Sequence, residues 1–182
     1  MQQQFILAAV GGDRPGVVAE VSEAIYQAGG NIENSFMTLL GEHFSLMLHV
    51  SLAGDEAYRK LEKQCETLRR ERELAVHVFP LQDTDLDRSR KAAVRPHYDI
   101  RVRGEDRAGI VYRTSRLLAS RGINILQMST RVETSTRDRT PQLSMRIQIE
   151  VPEEVDGDSL RRDLEDLAQE LQKTITLTRR ED

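Results

Sequence analysis

Seven residues near the start of the chain return near its middle. Gly12-Asp13-Arg14-Pro15-Gly16-Val17-Val18 recurs 93 positions later as Glu105-Asp106-Arg107-Ala108-Gly109-Ile110-Val111. The register then holds without a gap through Gly29 and Gly122, Asn31 and Asn124, and Ile32 and Ile125. Duplication of one folding unit is the economical reading, and 182 residues give room for two small domains.

Hydrophobic periodicity fills in the first unit. Phe5–Val10 is short, apolar and bounded by Gly11-Gly12, the pattern of a buried strand. Asp13 and Pro15 then suit the opening of a helix, in which Val17, Val18, Val21, Ile25 and Ala28 recur at helical spacing until Gly29-Gly30. Asn31–Leu40 reads as a strand and Gly41-Glu42 as a tight turn. Phe44, Leu46, Leu48, Val50 and Leu52 alternate with polar residues as a half-buried strand does. Tyr58, Leu61, Cys65 and Leu68 mark a second helix, and Leu74, Val76 and Val78 a last strand.

The second unit keeps this order. Tyr98, Ile100 and Val102 are followed by a helix lined by Ile110, Val111, Leu117 and Leu118 and closed by Gly122. Ile123–Val132 and the alternating Leu143–Val151 are strands; Leu160, Leu164, Leu167 and Leu171 form a helix, and Ile175 and Leu177 the final strand. Gln82–Arg95 is charged and poor in apolar residues, which gives domains over 1–81 and 96–182 joined by a linker over 82–95. The class is α+β, with an antiparallel four-stranded sheet and two helices on one face in each unit. Such small cores favour packing of the units together, and homodimerisation is a further expectation.

Charge and composition narrow the function. Residues 1–81 hold 11 acidic and 7 basic residues, residues 82–182 hold 19 of each, and the net charge is −4. Neither half has the basic excess of a surface that grips nucleic acid, and aromatics at 4% are too scarce for stacking bases. Cys65 is the single cysteine, so no intramolecular disulfide is available. No leader and no membrane-length apolar run is visible, and a cytoplasmic location is expected.

The stretches Asp13–Val18 with Gly29-Gly30-Asn31-Ile32, and Asp106–Val111 with Gly122-Ile123-Asn124-Ile125, resemble the ACT domain, a family of amino-acid-sensing regulatory modules. Ala108 departs from the motif, where Pro is expected, and Glu133–Gln142 looks like an insertion. The resemblance implies two ferredoxin-like βαββαβ domains with a ligand by the first strand–helix loop, often at an interface between units. Asn31-Ile32-Glu33-Asn34-Ser35 and Leu40-Gly41-Glu42-His43-Phe44 further resemble free-standing tandem pairs within the family. Those proteins lack a DNA-binding domain and are thought to act by contacting an activator protein, with glycine as the signal. That likeness implies a non-enzymatic transcriptional regulator of glycine cleavage genes, binding an amino acid and a transcriptional activator, without cofactor, metal, nucleic acid or membrane.

The candidate ligand-binding residues are Gly12, Asp13, Arg14, Pro15, Gly16 and Asn31, with Asp106, Arg107, Gly109 and Asn124 in the second unit. A helix start offers unpaired N–H groups suited to a carboxylate, and the Asn side chains could bond either end of an amino acid. Each has a plainer reading. Asp13 and Asp106 read first as helix caps; Gly16 and Gly109 serve close packing or ligand approach; Arg14 and Arg107 point to solvent; Asn31 and Asn124 are turn residues. The four histidines lack metal-ligand spacing, Cys65 reads as core, and Ser115, Ser120, Ser129 and Ser135 lack a nucleophile elbow. Arg88–Arg95 reads as a solvated linker and Arg137-Asp138-Arg139 as a hairpin tip. Two other functions remain open: a ligand-independent protein adaptor, and an acylphosphatase-like hydrolase in which Arg14 would cradle an anion and Asn31 position water.

Overall fold

Side-chain alternation decides which way each strand of the first unit faces. The computed structural model describes residues 2–82, 95–135 and 139–180. Strand β1 (Gln2–Gly12) buries Phe5, Leu7 and Ala9 and turns Gln4, Ile6 and Ala8 to the opposite side. Helix α1 (Val17–Gln27) follows, then β2 (Asn31–Leu40), β3 (His43–Ala53), α2 (Gly54–Glu71) and β4 (Ala75–Pro80). The strands pair antiparallel in the order β2-β3-β1-β4, with Leu7 opposite Leu48 and Ala9 opposite Leu46. Both helices cover the same side, where Val21, Ile25, Leu61 and Cys65 join Leu7, Leu48 and Val50 in one core. Each such large side chain taken fully from water contributes about 1.5–3 kcal/mol.

The second unit repeats the plan as β5 (His97–Glu105), α3 (Ile110–Ser120), β6 (Asn124–Thr134), β7 (Pro141–Glu150), α4 (Gly157–Leu171) and β8 (Thr174–Arg179). Its sheet order is β6-β7-β5-β8, and Ile100, Val102, Leu118, Met145, Ile147, Ile149, Leu160 and Leu164 form a separate core. The expected α+β class, with two ferredoxin-like units, is what the chain adopts. The chain divides into compact units over Met1–Lys91 and Ala92–Asp182. Residues 83–94 of the linker expected over 82–95, and residues 136–138 of the expected hairpin tip, lie outside the described residues.

The helix ends correct and extend the sequence reading. Neither Asp13 nor Asp106 caps a helix: α1 and α3 start on Gly16 and Gly109, with no side-chain hydrogen bond at either cap. Both glycines are left-handed, at φ 93° and 94°. In the first unit, Val17 N–H donates to the Arg14 carbonyl at 3.3 Å, closing a turn with Pro15 and then Gly16 at its centre. That is the order a type II turn requires, since its third residue needs positive φ. Ala108 leaves the second turn's glycine in the same conformation. A Cβ at Gly16 or Gly109 would meet nothing within 4 Å, so these glycines serve backbone conformation and not the close packing offered as one reading. At the far ends, Gly30 N–H bonds the Ile25 carbonyl and Ile123 N–H the Leu118 carbonyl, which stops both helices alike. Val18 and Val111, assigned to apolar stripes, are 40% and 37% exposed because the buried arcs run through Val17, Val21 and Ile25 and through Ile110, Thr114 and Leu118.

One irregularity is duplicated. The β2–β3 register skips Glu33, and the β6–β7 register skips Leu126, a β-bulge at equivalent positions.

Candidate functional site

The first strand–helix loop, Gly12–Gly16, sits where β1 ends opposite His43. Asp13 N–H donates to the Glu42 carbonyl at 2.8 Å, tying the loop to the β2–β3 turn. The second unit repeats the tie, with Asp106 N–H donating to the Pro141 carbonyl at 2.7 Å. The glycine caps of α1 and α3 give their first turns no side-chain acceptor; in α1 the Val17 N–H is taken up by the Arg14 carbonyl, and the N–H groups just after it lie beyond reach of the helix's own carbonyls. They carry the positive end of the helix dipole, and a carboxylate is the group they suit.

The arginines of the motif are engaged in ion pairs, Arg14 partly buried and Arg107 exposed as expected. Arg14 donates from both terminal nitrogens to the two Glu20 oxygens, each at 2.6 Å, and Arg72 Nε lies 3.5 Å from the same carboxylate. The bond from Arg14, with attraction from Arg14 and Arg72, holds the Glu20 carboxyl below the usual range and lifts Arg14 above its own. Arg107 is held differently, by Glu105 at 3.1 Å and by the Gln172 side chain at 3.0 Å. Position 113, the counterpart of Glu20, is Arg113, which pairs with Glu170.

Asn31 and the loop are far apart within one unit. Asn31 lies opposite Ser51, whose β1 neighbour is Gln4, whereas Gly12 lies eight residues further along β1. At about 3.3 Å per residue the separation is on the order of 25 Å. Asn124 stands at the same end of its own sheet, opposite Glu150 and so level with His97, while Asp106 follows the other end of β5. No amino acid can touch the loop and Asn31 of one unit together. Arg14 and Asn31 likewise cannot share one acyl phosphate.

Around Asn31 the structure assembles groups the sequence reading missed. Asn31 Nδ2 donates to Glu33 Oε1 at 3.0 Å, Ser51 Oγ donates to the same oxygen at 2.6 Å, and Gln2 Nε2 donates to Ser51 at 3.0 Å. The Ser51 and Asn31 bonds, with the nearby His49, hold the Glu33 carboxyl below its ordinary range. Leu126 stands in place of Glu33 in the second unit, and the carboxylate beside Asn124 is instead that of Glu150, across the ladder and paired with Arg95. A concavity of about 710 Å³ opens beside Gln2, Gln4, Phe5, Tyr58 and Pro80, at the Asn31 end of the sheet.

The remaining reactive residues offer little chemistry. Cys65 is fully buried and its thiol is pushed up to about 11, mainly by loss of solvent, so it is not a nucleophile at neutral pH. Among the described residues no group of three or more His, Cys, Asp or Glu is placed to hold a metal ion, and no helix is long and apolar enough to cross a membrane.

Comparison with known proteins bears directly on this paired architecture. The ACT domain family matches residues 3–79 and again residues 98–172. The chain belongs to the ACT domain family. As a tandem ACT protein it is 24% identical over 179 residues to the glycine cleavage system transcriptional repressor of Escherichia coli, covering 93% of this chain and 86% of that one. The UPF0237 protein SMU_72 of Streptococcus mutans is 39% identical over 61 residues, 34% of this chain and 69% of that one. Among solved structures, a protein of unknown function from Galdieria sulphuraria superposes with a TM-score of 0.79 at 22% identity, covering 100% of both chains. A protein proposed to be a glycine cleavage system transcriptional repressor superposes with a TM-score of 0.74 at 21% identity, over 100% of this chain and 99% of that one. These structural likenesses establish the fold of the tandem ACT pair.

Proposed function

We propose that this tandem ACT protein is a non-enzymatic regulator that senses an amino acid, glycine in the first place, and passes that state to a transcriptional activator of glycine cleavage genes. Its ACT family and its likeness to a repressor of that system support the regulatory role. The observation that carries the ligand-binding part is the pair of uncapped helix starts at Gly16 and Gly109. Both keep their geometry although the flanking residues differ, and a cap would have been the cheaper way to satisfy those N–H groups. On this reading Gly12, Asp13, Pro15, Gly16, Asp106 and Gly109 bound the ligand, while Arg14 and Arg107 screen it from their ion pairs. For Asn31 or Asn124 to touch the same ligand, one partner has to come from elsewhere, and a second copy of the chain is the source proposed here.

The test is a thermal-shift panel of amino acids on the full chain, followed by affinity capture of an activator protein with and without glycine. A rise in Tm with glycine and glycine-dependent capture are expected. No response to any amino acid would remove the sensing role. One observation favours the second reading, a ligand-independent adaptor: the guanidinium best placed for a carboxylate is already occupied by Glu20. Unchanged Tm together with glycine-independent capture of an activator would decide for the adaptor.

A further inference from the structure

The two sheets share a plan, yet their open faces, turned away from the helices, have opposite chemistry. In the first unit, Phe36, Met47, Ala8 and His77 lie side by side across β2, β3, β1 and β4. The same row in the second unit is Ser129, Arg146, Arg101 and Thr176. The next row there is Arg131, Ser144, Arg103 and Thr174. Four arginines therefore stand on neighbouring positions of one face, and Arg101 and Arg146 are directly opposed across the β5–β7 ladder.

Like charges directly opposite each other destabilise a sheet. All four arginines are exposed, and among the described residues none makes an ion pair or a side-chain hydrogen bond. The acids of this face lie around the patch, Asp99 and Glu150 towards one end and Glu105 and Glu133 towards the other. Ser129, Arg131, Glu133, Ser144 and Arg146 line a concavity of about 450 Å³ on it. The patch spans three strands, about 10 Å, and two rows of side chains, about 7 Å.

We propose that this face of the second ACT domain docks an acidic segment of a protein partner, whose carboxylates pair with Arg101, Arg103, Arg131 and Arg146. The inference rests on the reading that the protein regulates by contacting another protein, and it names the surface and the chemistry of that contact. Guanidinium groups meet carboxylates in a two-bond fork, and a few carboxylates on a short segment match the footprint. Nucleic acid fits less well. The patch is too small for a tract of six to ten phosphates, whereas a short segment with a few carboxylates can seat between the flanking acids, and the face has no aromatic ring for bases.

The test uses the full chain, a fluorescein-labelled peptide of alternating Glu and Ser, and a labelled DNA duplex, followed by anisotropy at low and moderate salt. Peptide binding is expected to weaken at least tenfold in Arg101→Gln/Arg146→Gln and in Arg103→Gln/Arg131→Gln. It should be unchanged in Arg161→Gln/Arg162→Gln on the exposed side of α4. The face variants should melt at or above the wild-type temperature, because the like-charge opposition is relieved. Absent peptide binding at low salt, equal binding by either face variant, or tighter binding of the duplex would overturn the proposal. So would a lowered Tm in both face variants, which would make the arginines structural, or a salt-sensitive dimer lost in them, which would give the face to a second copy. In each of these cases a glycine response by thermal shift would still stand, so the proposal can fail without the sensing function failing.

Discussion

Arg72, just past the end of α2, reaches Glu20 in α1 at 3.5 Å, and in the second domain Arg113, at the position of Glu20, pairs with Glu170 near the end of α4. Both domains thus tie their two helices with an ion pair, from neighbouring and not equivalent positions of the second helix. Arg113→Glu should therefore lower the Tm, and Glu170→Arg on that background should restore it. For a pair this exposed, a double-mutant cycle by thermal unfolding should give a coupling of about 0.2–1 kcal/mol.

Acid sensitivity follows from Glu20 as well. Its folded-state carboxyl titrates lower than in the unfolded chain, so its ionised form stabilises the fold above the ordinary carboxylate range. That contribution is lost as the pH falls through the depressed folded value. The Tm should drop as the pH falls below the ordinary carboxylate range, and Glu20→Gln should make the drop shallower. Equal slopes for the two proteins would show that the Arg14 pair contributes nothing.

Two glycines of one loop should respond differently to the same change. Gly16→Ala places a side chain in the left-handed region and should cost about 1–2 kcal/mol in urea unfolding, although the added methyl touches nothing. Gly12→Ala, with no neighbour within 4 Å and no positive φ, should stay within about 0.5 kcal/mol. If Gly12→Ala nevertheless abolishes the glycine-induced rise in Tm, the loop is where the ligand lies.

Caps offer a matching contrast. Asp156 accepts from Ser159 N–H at 3.0 Å and caps α4, so Asp156→Ala should cost about 1 kcal/mol. Asp13→Ala should cost much less, since Asp13 is held through its backbone N–H and caps no helix. Comparable losses in the two variants would contradict this placement.

Cys65 should be inert in the folded chain. Buried among Leu61 and Leu68, with its thiol raised to about 11, it should react with Ellman's reagent at pH 8 only after urea unfolding. Rapid labelling of the native protein would show that the first core opens easily.

The strands and the repeat were legible because both are carried by local pattern. Leu143–Val151 alternates so regularly that only one face could be buried, and Gly29 and Gly122 announced two helix ends. The helix starts were misread because an Asp ahead of an apolar run looks like a cap, and only backbone dihedrals reveal that the turn continues to Gly16. Asn31 was placed beside the loop because the two are close in sequence. The intervening helix carries the chain back along β1 before β2 begins, which moves Asn31 to the far end. The arginine face was hidden for a related reason: Arg101 and Arg146 are distant in sequence, and only the ladder register brings them together.

The bulge residues Glu33 and Leu126 lie outside the register on either side of them. No backbone ladder partner fixes either position, so its side chain can change without shifting the register of the sheet, even though Glu33 is held by Ser51 and Asn31. After the duplication one copy holds a carboxylate there and the other a hydrocarbon, so the two ends differ chemically on matching backbones. Exchanging these two residues would move that difference from one half of the molecule to the other, which makes this spot a natural handle for re-engineering either half.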